Sequence, residues 1–541
     1  MSDWEGSNFA SALRAIAAAV EPGRPALVHG DRVIDWQTFD QLTDAVAAGL
    51  LGAGLRPGDV LGQQLRNAPE YMLAFFGCAK AGLIPVNVNY HYRGTELADI
   101  ITRFGIKAVV QDAEFAAALS DAAAEGGRVG HVFTVGGDDS FARLSESPGR
   151  ALPEPSDDAV FYIATGGTTG MPKAAIWRHV DAWNAFQLSI WPTPVGEAPD
   201  PVTSLAAHVE RAAAAAPPDL RTRSPLLMLS PLMHGAGLFS ALICLLRGGT
   251  LVTTPGSRFD PDATIETIAA HRIVAGALVG DAFALPLADT LEVRDDAARK
   301  LSTLRFLTSS GAVFSETVKM RLIAVQPELV ILDALGSSES GATAISVTSA
   351  KGTRGKGFGA VPGRPVKIFD DAMNELAPGS ERFGILARAG ALPLGYLNED
   401  ELNARTFPTV DGVRYLMTGD RARMTADGRI EFAGRDNLCI NTGGEKVFPE
   451  EVEAVLQSHP QVRDARVIGL PDPRFGKSIA AVVVADGSPQ EAELDGHCRA
   501  ALAAYKVPRR YVFTQEALRL NNGKPDYKAA LRIAEAATDA S

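Results

Sequence analysis

Between Phe161 and Ala175 the chain reads FYIATGGTTGMPKAA, an apolar strand-like run closed by Thr165 and followed within eight residues by three glycines, two threonines and a lysine. Gly166, Gly167 and Gly170 let backbone N–H groups approach phosphate oxygens closely. Thr168 and Thr169 add hydroxyl donors, and Lys173 adds a positive charge. The segment is suited to a polyphosphate. It is not a Walker A loop, because Pro172 precedes Lys173 and Ala174 follows it, where that motif needs Gly-Lys-Ser/Thr opening a helix. An ordinary Gly-rich turn is the bland alternative for the cluster taken alone. A second Gly-rich stretch, GKGFGA at 355–360, formally fits G-x-G-x-x-A, but Pro362 follows at once and no dinucleotide-binding helix can begin there.

Further blocks follow in order: SPLMHG (230–235), LGSSESG (335–341), YLMTGDRA (415–422), GRDNLCINTGGEKVFPEEVE (434–453) and NNGKPDYK (521–528). With TGGTTGMPK they resemble the signature motifs of the adenylate-forming superfamily, which includes acyl-CoA synthetases, peptide-synthetase adenylation domains and firefly luciferase. The six blocks span residues 165–528, well over half the chain.

The resemblance implies a two-step ligase. A carboxylate attacks the α-phosphate of ATP and releases pyrophosphate, then a thiol displaces AMP from the mixed anhydride. It implies ATP, Mg²⁺ and coenzyme A as cofactor and co-substrates. Thr165–Gly170 and Lys173 would hold phosphates, and Glu339 with Thr168 would hold the Mg²⁺. Ser310, Gly311 and Ala312, with Asp333, Ala334, Leu335, Gly336, Ser337 and Ser338, would line the adenine and acyl group. Asp420 would meet the ribose, and Arg435 the ribose or a phosphate. Lys524 would bridge carboxylate and α-phosphate, an ammonium placed where charge develops. His234 would stand at the mouth of the acyl pocket. Asn437 would be the hinge, and Gly443, Gly444 and Glu445 would line a channel for the pantetheine arm.

Two positions depart from the family pattern: Leu335 replaces a common aromatic residue, and Asn437 replaces a usual Asp or Lys. Each residue also has a plainer reading. Glu339, Arg435 and Lys524 are solvated charges in most sequences, Asp420 is a turn residue, and His234 is a core histidine. The plainer reading is favoured for His179 and for Trp177, which reads as packing.

Composition bounds what must position these residues. The chain has 541 residues, 46% hydrophobic and 21% charged, enough for about three or four domains or subdomains and too apolar for disorder. Its net charge of −12 has the wrong sign for a broad nucleic-acid face. Cys78, Cys244, Cys439 and Cys498 lack paired spacing, so no zinc ribbon or disulfide framework is written. The start MSDWEGSNFA does not read as a signal peptide, and a reducing cytosol is the simplest home. The uncharged run Ser224–Leu246 is broken by Pro225, Pro231, Gly235 and Gly237, which argues for a strand, a turn and a buried helix near Leu238–Leu246 rather than a membrane span.

From residue 8 to about 335, β-branched runs such as Val60–Gln63, Lys107–Val110, Val160–Ala164 and Leu329–Leu332 alternate with Ala-rich helical patterns, the texture of parallel sheets covered by helices. Residues 191–223 look like an inserted excursion with one short helix. After about Lys351 short alternating strands predict a small antiparallel unit. The expected class is α/β: residues 1–435 form a large domain of two α/β subdomains and a small β subdomain, followed by a small mobile α+β domain over 436–541. The partners expected are a small-molecule carboxylic acid, ATP and CoA, with no nucleic acid and no transmembrane segment. The oligomeric state is open, a homodimer included.

Apolar residues around His234, and the Ile176–His179 sequence soon after the glycine loop, resemble bacterial synthetases for fatty acids and steroid side-chain acids. A ligase that loads a carrier protein, an aryl-acid ligase and a non-catalytic nucleotide or lipid sensor are the alternatives. The absence of a carrier domain after the Lys524 block favours free CoA, and the presence of Lys524 and Asp420 disfavours the sensor.

Overall fold

A computed structural model describes residues 8–539 except 147–149, 166–171, 192–199, 215–224, 356, 436–437, 439, 443–444, 473–475, 488, 503 and 521–522. The first α/β unit is a seven-stranded sheet. From one edge its order is Gly395–Tyr396, Lys173–Arg178, Val160–Thr165, Ile84–Asn87, Val60–Gln64, Ile106–Asp112 and His131–Val135. The five strands from Val160–Thr165 to His131–Val135 are parallel. The inner strands are largely buried, Val60–Gln64 along its whole length, while the edge strand His131–Val135 buries only Phe133. Lys173–Arg178 turns back antiparallel on Val160–Thr165, pairing Thr165 with Lys173 across the glycine loop. That loop, Gly166, Gly167, Thr168, Thr169 and Gly170 included, lies outside the described residues.

The second α/β unit runs through parallel strands Leu226–Met228, Ala275–Leu278, Phe306–Ser310 and Val330–Ser337. Its last strand folds back as an antiparallel hairpin with Gly341–Ser349. From there the sheet continues through Phe358–Ala360, Arg429–Arg435 and Val413–Met424, so the antiparallel unit expected after Lys351 shares one hydrogen-bonded sheet with the second α/β unit. The physical reason is the hairpin: Gly341–Ser349 offers its free edge to Phe358–Ala360. One strand leaves this unit, and Gly395–Tyr396 crosses to the edge of the first sheet beside Ala175 and Ile176.

The carboxy-terminal segment builds a three-stranded sheet of Val462–Asp472, Gly476–Ala485 and Arg510–Phe513, with helices Pro449–Gln457, Glu491–Ala501 and Tyr527–Asp539. Its apolar clusters, one around Val452, Leu456, Val467 and Val483 and another around Ile468, Val482, Leu518 and Ala534, draw only on residues from 440 onward. A core of its own makes it a separate small α+β unit.

Within the excursion after Trp191, the described helix Leu205–Ala213 is tied to the amino-terminal segment by Arg24, which donates to the carbonyls of Ala212 and Ala213 at 3.0 Å each. The apolar run expected near Leu238–Leu246 is the buried helix Gly235–Leu246. Among the described residues no helix is long and apolar enough to cross a membrane.

Candidate active site

The LGSSESG block forms the tip of the hairpin between Val330–Ser337 and Gly341–Ser349, and its serines account for the shape. The Ser340 hydroxyl accepts from Ser337 N–H at 2.8 Å, the Ser337 hydroxyl accepts from Glu339 N–H at 3.2 Å, and Ser340 N–H closes on the Ser337 carbonyl at 3.2 Å. Gly336 sits at a register shift, where a Cβ would run into the Gly341 carbonyl. The tip is braced from the first unit by buried Trp177, whose indole N–H donates to the Ser338 carbonyl at 2.9 Å. Trp177 is therefore packing, as its plainer reading held, with one polar task added.

Glu339 stands at the apex. Its Oε1 accepts from the Tyr396 hydroxyl at 2.8 Å, and the Lys173 ammonium lies 5.8 Å from the Tyr396 ring centroid. Burial, and then the charge of Glu339, pushes the phenol of Tyr396 up, so it is a proton donor here.

His234 precedes the Gly235–Leu246 helix in an extended conformation. A Cβ on the next residue, Gly235, would meet the Ser338 hydroxyl oxygen at 2.8 Å, which sets His234 directly beside the Glu339 tip. Two asparagines of the first unit hold this segment. Asn67 donates to the Ser230 carbonyl at 2.9 Å and accepts from Leu232 N–H at 2.8 Å. Asn87 donates to the Met233 carbonyl and accepts from Ala164 N–H at 2.7 Å, joining the His234 turn to the strand that leads into the glycine loop. The Nε2 of His234 is buried without a hydrogen-bond partner. Desolvation first, then the charges of Lys524 and His91, depress its pKa to about 3, so the ring is a neutral imidazole.

That influence of Lys524 on His234 brings the last motif into the cluster. Lys524 lies on a tight turn: Leu520 N–H donates to the Lys524 carbonyl, Gly523 N–H donates to the Leu520 carbonyl, each at 2.8 Å, and Arg519 bridges Pro525. The turn is anchored on both flanks. Arg519 pairs with Asp464 at 2.9 Å, and the Tyr527 hydroxyl donates to Glu453 at 3.3 Å. Burial pushes the Glu453 carboxyl up, with Arg466 opposing. Gly523, at φ 81°, packs against Val279 and Ala282 of the large unit, where a Cβ would approach the Ala282 Cβ to 2.7 Å.

The remaining predicted residues fall in two places. Ser310, ending its strand, pairs with Ala334 of the next one, with Gly311 at φ 85° and Ala312 following, so the proposed adenine strip and the Leu335–Ser338 segment are neighbours. Asp333, on the same strand, makes a buried ion pair with Lys319 at 2.9 Å. Buried Asp420 pairs in register with Arg435 on the neighbouring strand. Glu445 begins the short strand Glu445–Val447, whereas Asn437, Gly443 and Gly444 lie outside the described residues. His179 is a core residue: it stacks on Phe9 at 4.3 Å and accepts from Phe9 N–H at 3.2 Å.

Sequence reasoning missed Asn67, Asn87, Tyr396 and Asn403. Their signal, single polar residues near strand ends, beside a glycine or, for Asn403, within the short helix Asp400–Thr406, is too common to select them without the fold.

Magnesium favours hard oxygen donors and is usually held by one or two carboxylates plus substrate phosphates. Among the described residues no three His, Cys, Asp or Glu side chains group as a metal cage. The single carboxylate Glu339, steadied on one oxygen, fits a cation shared with phosphate oxygens.

The AMP-binding enzyme family matches residues 15–397, and the AMP-binding enzyme C-terminal domain matches residues 451–524. The chain belongs to this adenylate-forming family. It is 36% identical, over 95% of its length and 94% of the relative's, to a medium/long-chain-fatty-acid–CoA/3-oxocholest-4-en-26-oate–CoA ligase of Mycolicibacterium smegmatis. It is 34% identical to a 3-oxocholest-4-en-26-oate–CoA ligase of Rhodococcus rhodochrous, covering 94% of this chain and 93% of the other. The fold matches the anthranilate CoA ligase AuaEII in complex with anthranoyl-AMP, with a TM-score of 0.82, 22% identity and 99% of both chains covered. It also matches ATP-bound MatB from Rhodopseudomonas palustris, with a TM-score of 0.79, 23% identity and 98% of both chains covered.

Proposed function

We propose that this chain is an AMP-forming acid:CoA ligase that activates an apolar carboxylic acid with ATP and transfers the acyl group to coenzyme A. The observation that carries the reading is the seating of the Lys524 turn on the large unit, Gly523 packing on Val279 and Ala282, with the Lys524 charge felt at His234. Lys524 is the cation between acid and α-phosphate, acting where negative charge develops. Lys173 and the glycine loop hold the phosphates, and Ser310–Ala312 with Leu335–Ser338 hold the adenine. Asp420 and Arg435 take the ribose. Neutral His234 adds no charge at the acid's entry, which suits a greasy substrate. Glu339 and Thr168 would hold Mg²⁺, which when bound supplies charge neutralisation on the phosphates.

The reading divides the chain at 435/436, with Asn437 as hinge and with Gly443, Gly444 and Glu445 lining the thiol channel once the small domain has turned. The names of the mycobacterial and rhodococcal relatives, and the apolar helix behind His234 with Leu238, Phe239 and Leu242 buried, support a medium- or long-chain fatty acid or a steroid side-chain acid. A cytoplasmic site of action follows from the need for ATP and CoA.

A panel of fatty, steroid and aryl acids, scored by AMP release with and without CoA, tests the reading. Apolar acids should release AMP with stoichiometric acyl-CoA. Acid-dependent pyrophosphate exchange without CoA transfer would move the acceptor to a carrier protein, and no exchange with any acid would overturn the ligase.

A further inference from the structure

We propose that Tyr396 is a positioning residue for the adenylation step, holding Glu339 in its cation-binding pose and keeping Lys173 turned to the nucleotide. The inference rests on the ligase reading above and assigns a side chain outside its motifs. Tyr396 comes from the antiparallel part of the chain, yet it lies on the edge of the first sheet with Ala175 as its strand partner. From there its hydroxyl donates to Glu339 Oε1 at 2.8 Å while Lys173 lies 5.8 Å from its ring centroid.

The pose of Tyr396 is itself over-determined. The Asn403 side chain accepts from Tyr396 N–H at 2.6 Å and donates to the Tyr396 carbonyl at 2.8 Å. Gly395, at φ 150°, permits this approach, since a Cβ there would sit 2.9 Å from the Asn403 amide.

The physical role follows from the charges. A carboxylate bonded to the phenol and an ammonium 5.8 Å from its ring attract each other, and without the phenol a paired Glu339 and Lys173 would face the nucleotide poorly. A hydroxyl on Oε1 fixes the carboxylate rotamer and leaves the second oxygen for the cation. Loss of such outer partners typically costs about 10- to 100-fold in metal affinity.

The test is equilibrium binding of ATP to the full-length protein, without acid, over a Mg²⁺ series, followed by acyl transfer to CoA from a supplied acyl-adenylate. Tyr396→Phe keeps the ring and removes the hydroxyl, so half-saturating Mg²⁺ should rise about tenfold while acyl transfer from the adenylate stays unchanged. Tyr396→Leu, which also removes the ring from Lys173, should further weaken ATP binding at saturating Mg²⁺. Asn403→Ala, which frees the tyrosine peptide and leaves its side chain intact, should shift the Mg²⁺ requirement in the same direction and serves if the Tyr396 variants fold poorly. A wild-type chain that binds ATP without regard to Mg²⁺ would overturn the metal role of Glu339 on which the inference stands. A Mg²⁺-dependent wild type with an unshifted Tyr396→Phe would overturn the positioning role alone.

Discussion

The Glu339 tip and the Lys524 turn carry opposite charges to one neighbourhood, and they are built on different plans. The tip belongs to a long hairpin of the large unit, with its turn closed by Ser337 and Ser340 and its back held by Trp177 and Tyr396. The Lys524 turn is anchored within its own small unit through Asp464 and Glu453. It meets the large unit through Gly523 against Ala282, and nearby Arg463 reaches Asp289 at 3.3 Å. Under the proposed reading, the tip is the group that stays put and the Lys524 turn the one that is delivered, rigid within its own domain.

The sharpest break of this comparison is Lys524→Ala, which should lower acid-dependent pyrophosphate exchange about 100- to 1000-fold while thioester formation from a supplied acyl-adenylate persists. Equal losses in both assays would contradict a delivered lysine. Gly523→Val comes next. Its side chain would press on Ala282 in a left-handed backbone, and displacing a catalytic group by about 1 Å costs on the order of 100-fold. Exchange should fall while the melting temperature and acyl transfer hold. Gly336→Ala, by contrast, drives a methyl into the Gly341 carbonyl and should cost about 1–3 kcal/mol of stability in denaturant titration, lowering both half-reactions together.

The pH response is smaller. The folded pKa of His234, about 3, lies below its ordinary 6.5, so below about 6.5 the unfolded chain takes up a proton that the folded chain refuses. Stability should therefore fall as pH drops from 6.5 toward 3 and be flat above, and His234→Gln should lessen that slope in thermal melts across the series. The smallest effect is expected from Arg463→Ala. This exposed pair with Asp289 is worth about 0–1 kcal/mol, so exchange should change by no more than a few-fold, and less at high salt.

Much of this arrangement was legible in the residues. Strand-like runs at 60–63, 107–110 and 160–164 became Val60–Gln64, Ile106–Asp112 and Val160–Thr165, because short runs rich in apolar and β-branched residues favour buried strands. The breakers in Ser224–Leu246 turned a membrane-like run into a strand, a turn and a helix, since proline and glycine act locally. Other features were not legible. Asp333 stands two residues before the 335–341 block, and its ion pair with Lys319, 14 positions earlier on a packing helix, is announced by no local pattern. The Gly395–Tyr396 strand is two residues long, too short for any periodicity to announce which sheet it joins.

The sequence by itself determined which chemistry the chain carries, because glycine, hydroxyl, carboxylate and ammonium groups at fixed spacings have local properties that survive any arrangement of the rest. Only the tertiary structure decided which of those groups meet. Gly523 against Ala282 and the Tyr396 hydroxyl on Glu339 are contacts across 241 and 57 positions of chain, set by strand crossing and domain seating rather than by any residue's own preference.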